Sequence, residues 1–432
     1  MAMNRFEILV SRRKFLRRTA LAAGLCVLPD WVLEENRALA SQRKPLSPND
    51  RPGIGLIGCG GQGRGDCRWA RNFGDVIAVS DLDSSHLTQA ARQFNAPHQY
   101  HDFRKLLERD DIHVIINGTP DHWHTLVNVA ACRAGKDIYA EKPLTLTIAE
   151  GKLLVESVRK HRRILQVGSQ QRSDARFRLA CELVRNGRIG KLQHMLVGLP
   201  TGPREGPFPP VPVPQELDWD TYLGQTPKVE YNGHNAHRVF RWWYQFSGGQ
   251  MTDWGAHHND IAQWGNGTEL SGPVEFDGKG FVDMIPGGYE TMAEYEVKCL
   301  YKNGVRMTIT NRADNGVRFE GSEGWIYVSR EQIKASRQEL IDEPLPAGAV
   351  RLYKSDNHMG NFFECIRSRK DPICKVEIGH RSISVAHLGV LSVRLKRRIR
   401  WDPETQHILG DSEASKWLHR EMRKPYDLSY IA

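Results

Sequence analysis

Short apolar runs, separated by apolar positions at helical spacing, fill residues 53–168. The runs at 54–57, 76–79, 114–116, 138–140 and 165–168 are apolar almost throughout, the pattern of strands covered on both faces of a parallel sheet. Between them Leu126, Val127, Val129, Ala130 and Cys132 recur at helical spacing, as do Leu153, Leu154, Ser157 and Val158. A doubly wound α/β domain follows. Beyond Arg172 the period changes. After a helix near 175–185, strands are expected at 192–199, 274–282, 292–301, 305–311, 317–320 and 325–329. Several alternate, with Met292, Glu294 and Glu296 on one face and Ala293, Tyr295 and Val297 on the other. That predicts a large, open, mostly antiparallel sheet with one covered face. Helices are expected at 360–369 and 378–398, the latter carrying the basic run 394–400 as a solvated face. Seven prolines between 200 and 214 exclude a regular helix or central strand, so a long loop near a site or subunit contact is expected there.

The first apolar run leads into Gly58-Cys59-Gly60-Gly61-Gln62-Gly63 and then a helical stretch. In such a turn the first glycine reverses the chain and the second brings backbone N–H groups up to a pyrophosphate. The third lets helix pack on strand. Gly58, Gly60, Gly61, Gln62 and Gly63 are therefore assigned to a dinucleotide, with Cys59 and Gln62 serving through backbone groups. The second run ends at Asp81, 18 residues after Gly63, where a ribose diol needs an acceptor. Leu82 and Asp83 follow, with no arginine to neutralise a ribose phosphate, which favours NAD over NADP.

At 432 residues the chain exceeds what one core usually supports, and two domains are expected. No apolar run approaches the roughly 18 residues of a membrane span. Arg12 and Arg13 precede an apolar stretch at 20–28, and Ala38-Leu39-Ala40 offers small residues for cleavage, the arrangement of a twin-arginine export signal. The expected organisation is a signal over 1–40, a linker over 41–52, a dinucleotide domain over 53–171, a substrate and oligomerisation domain over 172–400 and an extension over 401–432. Loss of residues 1–40 lowers the formal charge from +9 to about +6, too diffuse for nucleic acid. Eight cysteines show no zinc spacing, so no metal is expected, and seven remain after cleavage, leaving at least one free thiol.

Two loops leave the carboxyl ends of neighbouring strands, the ligand edge of an open α/β sheet. Thr119-Pro120-Asp121-His122-Trp123-His124 is one, and Glu141-Lys142-Pro143 the other. Thr119, Pro120, His122, His124, Glu141 and Lys142 are accordingly placed beside the cofactor, and a lysine there favours a developing alkoxide. Farther on, Asp253 and His257 lie four residues apart, on one face of a helix, and His257 exchanges protons near neutrality. Trp242, Trp243, Tyr244 and Trp254 are candidates for stacking on a sugar ring.

With the glycine turn, Glu141-Lys142-Pro143 and Asp253-Trp254-Gly255-Ala256-His257 in this order, the chain resembles the glucose-fructose oxidoreductase / inositol dehydrogenase / MocA family over roughly residues 53–400. The resemblance implies Lys142 as catalytic lysine, His257 as proton-exchanging histidine and Asp253 as its partner acid. It also implies a Rossmann domain, an open antiparallel sheet and homodimers or homotetramers. Trp401-Asp402-Pro403 and Lys424-Pro425-Tyr426 look like an exported bacterial branch. Two departures are His258, which extends the histidine motif, and the proline loop, unmatched in simpler inositol dehydrogenases; both bear on the substrate.

The expected activity is hydride transfer between NAD and a sugar or polyol hydroxyl, with Asp253 orienting His257 or a neighbouring hydroxyl. Free NAD is not expected outside the cytoplasm, so an exported enzyme would carry it tightly bound and regenerate it in place. A second sugar then accepts the hydride, or one substrate is oxidised, eliminated across its glycosidic bond and reduced again, making a redox-neutral glycosidase the second reading. A cofactor-binding protein without turnover is the third, and it expects Lys142 and His257 to face away from the nicotinamide.

Overall fold

Six parallel strands form the first sheet in the computed structural model, which describes residues 28–41, 51–281 and 285–431. They are β1 (Gly53–Ile57), β2 (Asp75–Ser80), β3 (His98–Tyr100), β4 (Val114–Asn117), β5 (Asp137–Ala140) and β6 (Leu165–Val167), in the order β3-β2-β1-β4-β5-β6. β3 has no fully buried residue, which is why apolar pattern alone does not find it. The order reverses between β1 and β4, and this opens a crevice at their carboxyl ends.

The second sheet has nine strands: β7 (Leu192–Gly198), β8 (Pro273–Phe281), β9 (Glu294–Tyr301), β10 (Arg306–Thr310), β11 (Gly316–Gly321), β12 (Trp325–Val328), β13 (Ile333–Ala335), β14 (Ile399–Asp402) and β15 (His407–Ile408). Their order is β13-β12-β11-β7-β10-β9-β8-β14-β15. Every pairing is antiparallel except β7 with β10. Along β9, Tyr295, Val297, Cys299 and Tyr301 are buried while Glu294, Lys298 and Leu300 are exposed, so one face is covered as the alternation requires. Helices Gly255–Asn266 and Val376–Arg394 lie on that face, brought close by glycines: a Cβ at Gly265 would stand 2.4 Å from Phe319, and one at Gly278 2.3 Å from Ser392.

Several boundaries differ from expectation. The last long helix ends at Arg394, and the chain turns into β14, where Ile399 and Trp401 bury their side chains. The basic run is thus split between a helix end and a strand, with Arg397 and Arg398 paired to Asp411, Glu413, Glu275 and Asp277. A boundary after residue 400 would cut β14. The tail beyond it packs back on the first domain, where Arg104 and Arg133 donate to the carbonyls of Tyr430 and Ile431. Helix His358–Ser368 also crosses over: Met359, Phe362 and Phe363 share a core with Ile54, Leu56, Val79 and Ile116.

The paired arginines and residues 42–50 lie outside the described residues. Residues 28–41 belong to the folded body instead of standing apart from it. Helix Asp30–Ser41 buries Val32 completely, and Glu35 pairs with Arg178, Arg351 and Lys354. All seven cysteines of the described residues are free and buried.

Candidate active site

The crevice at the β1/β4 switch opens into a cavity of about 930 Å³ that runs from Gly58, Gly60, Gly61 and Asp81 to Lys142, Asp253 and His257. Gly58 has φ +84°, a conformation that favours glycine, and a Cβ on it would lie 2.5 Å from the backbone of Gly118 and Thr119. Gly63 is equally constrained, since a Cβ there would stand 2.0 Å from the Gly58 carbonyl oxygen. Gly60 and Gly61 are different. Cβ atoms on them would meet nothing within 4 Å, so the open side of the turn, at the start of helix Gly61–Ala70, has room for a pyrophosphate.

Asp81 lines the cavity at the end of β2, its carboxylate held by N–H groups of Cys59 and Asp83. Burial raises its pKa, and those two hydrogen bonds work against the shift. The glycine cradle, the helix N-terminus and this carboxylate together fit a dinucleotide. Nearby, Asp83, His86 and His237 converge, and His237 Nε2 stands 3.4 Å from Asp83 Oδ2 across the two domains.

Thr119, Pro120, His124, Glu141 and Lys142 line the cavity. The two ring nitrogens of His124 lie 2.7 Å from the carbonyl oxygens of Thr119 and Pro143, tying the loops after β4 and β5 together. His122 corrects the sequence reading. Fully buried, with Nε2 2.8 Å from the Tyr222 carbonyl and its ring against Phe246, it faces an aromatic core and does not border the cavity. Gln62 also acts differently from expectation, because its side-chain amide donates to Asp66 and Glu141. Gln170 donates to Glu141 as well. Burial and the neighbouring Glu141 carboxylate push Asp66 well above the ordinary carboxylate value.

Lys142, Asp253 and His257 meet at the inner end of the cavity. The Lys142 ammonium donates to Asp253, and Arg241 Nε lies 3.5 Å from the other Asp253 oxygen. Burial opposes charge on Lys142, but the Asp253 and Glu141 carboxylates outweigh it and hold its pKa above the usual value. For Asp253, burial is outweighed by Lys142 and Arg241, so it stays ionised. Asp253 therefore partners the lysine; no hydrogen bond joins it to His257. Burial, then the charges of Lys142 and Arg330, push His257 well below its ordinary value and keep the imidazole neutral. Its Nδ1 has no hydrogen-bond partner.

Helix Gly255–Asn266, which presents His257, is fixed from below by a buried ion pair. Arg172 donates to both oxygens of Asp260 at 2.6 and 2.8 Å, and Ser382 donates to the same carboxylate. Of the candidate stacking residues, Trp254 borders the cavity. Trp243 donates to the His234 carbonyl within an aromatic core, and Tyr244 lies between Arg394 and Arg420. The proline loop does not line this cavity. Asp66, Asp121, Arg241 and Arg330 were not singled out from sequence. Asp121 had a signal, its place in the loop after β4, and Asp66 another, its place on the helix opened by the glycine turn; Arg241 and Arg330 lie on segments with no local motif.

Family comparisons agree with this architecture. Residues 53–169 match the oxidoreductase family NAD-binding Rossmann fold, and residues 204–428 the oxidoreductase family C-terminal α/β domain. The chain is 25% identical over 363 residues to myo-inositol 2-dehydrogenase of Thermotoga maritima, covering 80% of this chain and 98% of that one. It is 25% identical over 309 residues to scyllo-inositol 2-dehydrogenase (NAD(+)) of Bacillus subtilis, covering 69% and 80%. Among solved structures, aldose-aldose oxidoreductase from Caulobacter crescentus shares the fold at TM-score 0.62 and 18% identity, covering 81% of this chain and 99% of that one. Levoglucosan dehydrogenase in complex with NADH and L-sorbose does so at TM-score 0.62 and 17% identity, covering 81% and 98%. With both domain models matched in order over most of its length, the chain belongs to the Gfo/Idh/MocA oxidoreductase family.

Proposed function

We propose that the protein is an NAD-dependent dehydrogenase acting on a hydroxyl of a sugar or polyol. The observation that carries this is a single cavity joining the glycine cradle to Lys142 and His257. Relatives named for inositol and levoglucosan dehydrogenation support the substrate class. Asp81, followed by Leu82 and Asp83, supports NAD over NADP, because a 2′-phosphate would meet a carboxylate and no adjacent arginine.

When bound, the nicotinamide ring supplies a hydride acceptor, leaving the protein to manage the proton and the oxygen. His257 is neutral and takes the hydroxyl proton as the carbinol C–H bond breaks and the C=O bond forms. The Lys142 ammonium donates to the substrate oxygen and stabilises its developing negative charge. Asp253 keeps that ammonium charged and aimed. Replacing Lys142 with alanine is expected to leave nucleotide binding within a few-fold while turnover falls by on the order of 10³. Near-normal turnover would remove Lys142 from the chemistry.

We further infer export by the twin-arginine route with tightly held nucleotide, and assembly as a homodimer or homotetramer through the open sheet face. Cleavage after Ala40 would take the buried Val32 and the paired Glu35 out of the fold, which supports a cut ahead of Leu28 over one after Ala40. Mass spectrometry of the exported protein and of nucleotide released on denaturation, with sedimentation, tests all three points. A mature chain beginning after Ala40, an empty protein or a monomer would each refute its own part.

A further inference from the structure

One charge on the exposed border of the cavity has no counterion among the described residues. Arg330, two residues past the end of β12, places its guanidinium over the Trp254 ring, 4.5 Å from the centroid, where it borders the cavity with His257 and Asp253. Among the described residues no carboxylate or carbonyl accepts a hydrogen bond or ion pair from it. The acids nearby are engaged elsewhere. Asp253 lies between Lys142 and Arg241, and Asp174 pairs with Arg176. Glu141 accepts from Gln62 and Gln170. Three cations, Lys142, Arg241 and Arg330, thus face the two carboxylates of Asp253 and Glu141, and the one unmatched charge sits at the wall formed by the C-terminal domain.

Burial lowers the Arg330 pKa, opposed by Asp253, then Glu141 and Asp174, which puts the guanidinium within electrostatic reach of the reacting groups. A planar guanidinium resting on an aromatic ring keeps its outward N–H groups free for a planar, bidentate acceptor. We propose that the substrate is an anionic sugar, a uronate or aldonate, whose carboxylate is received by Arg330 while Lys142 and His257 hold the hydroxyl to be oxidised. This rests on the dehydrogenase reading above and narrows its substrate class. A carboxylate matches the single uncompensated charge; a phosphate dianion brings one charge too many.

Calorimetric titration of the NADH-loaded protein with D-glucuronate, D-glucose and D-glucose 6-phosphate tests the proposal. The native protein is expected to hold glucuronate on the order of tenfold more tightly than glucose, a preference that weakens as salt is raised. Arg330→Gln is expected to bring the two affinities within about twofold, through loss on the glucuronate side, and Arg330→Lys to restore part of the preference. Equal native affinities, tighter binding of the phosphate, or a preference that survives Arg330→Gln would overturn it. Turnover is read separately from reduced-nicotinamide absorbance. Arg330-dependent glucuronate binding without hydride transfer between the nicotinamide and any sugar would count against the dehydrogenase reading and leave carboxylate recognition standing.

Discussion

Replacing Arg172 with methionine tests whether the buried pair beneath the His257 helix holds the site together. Arg172 and Asp260 are 2% and 1% exposed, and the two hydrogen bonds between them, at 2.6 and 2.8 Å, form a bidentate fork. Charge centres about 4 Å apart attract by roughly 4 kcal/mol at an effective dielectric constant of 20, much of which offsets desolvation. Removing the cation alone leaves Asp260 buried with Ser382 as its remaining donor. The expected loss is about 3–5 kcal/mol, which for a domain of this size lowers Tm by roughly 6–20 °C. The double variant Arg172→Met, Asp260→Leu removes both charges and is expected to recover at least about 2 kcal/mol of it. Scanning calorimetry with bound nucleotide removed measures both. A single variant melting within about 2 °C of native, or a double variant no better than the single, would refute the reasoning. As a control, breaking the exposed pair Lys105–Glu108 should leave the melting temperature near native.

Gly63→Ala drives a Cβ to 2.0 Å from the Gly58 carbonyl, whereas Gly61→Ala meets open space. Nucleotide-free melting is expected to fall by several degrees in the first and stay near native in the second, while NADH titration weakens in both; equal melting curves would contradict this. Burial pushes Asp121 up to about 7, against the Ser247 hydrogen bond. Its folded pKa thus exceeds its unfolded one, so the native state holds an extra proton between about pH 4 and 7, and stability falls as pH rises through that window. Relative to native, Asp121→Asn should gain about 1.4 kcal/mol per pH unit between pH 5.5 and 7 and level off above, as read from urea midpoints. A difference independent of pH would exclude the shift. Val32→Asp places a charge in a fully buried position of helix Asp30–Ser41 and should cost about 3 kcal/mol or more. Unchanged melting would show that this helix is dispensable to the fold.

Local signals carried much of this molecule. Gly58 and Gly63 sit where only a bare backbone fits, and Asp81 directly follows the neighbouring strand, so two short stretches of sequence specify the dinucleotide turn. The alternation in β9 likewise reports its covered face, because a strand has only two sides. Lys142, Asp253 and His257 were legible through motif order. That Asp253 holds Lys142 rather than His257 was not, since four-residue spacing shows a shared helix face but not what a separate loop brings against it.

Tertiary structure decided the rest. Arg330 follows a strand with no motif, and only the packing of the second sheet's edge against Trp254 brings it to the cavity. His122 and His124 are two residues apart on one helix, yet one faces an aromatic core and the other ties the two loops, a difference set by neighbours distant in sequence. Helix His358–Ser368 covers the first sheet although its residues belong to the second half of the chain. Periodicity records which side of an element is apolar. It does not record which partner meets that side, because apolar burial is non-directional and the fold as a whole selects among the faces available.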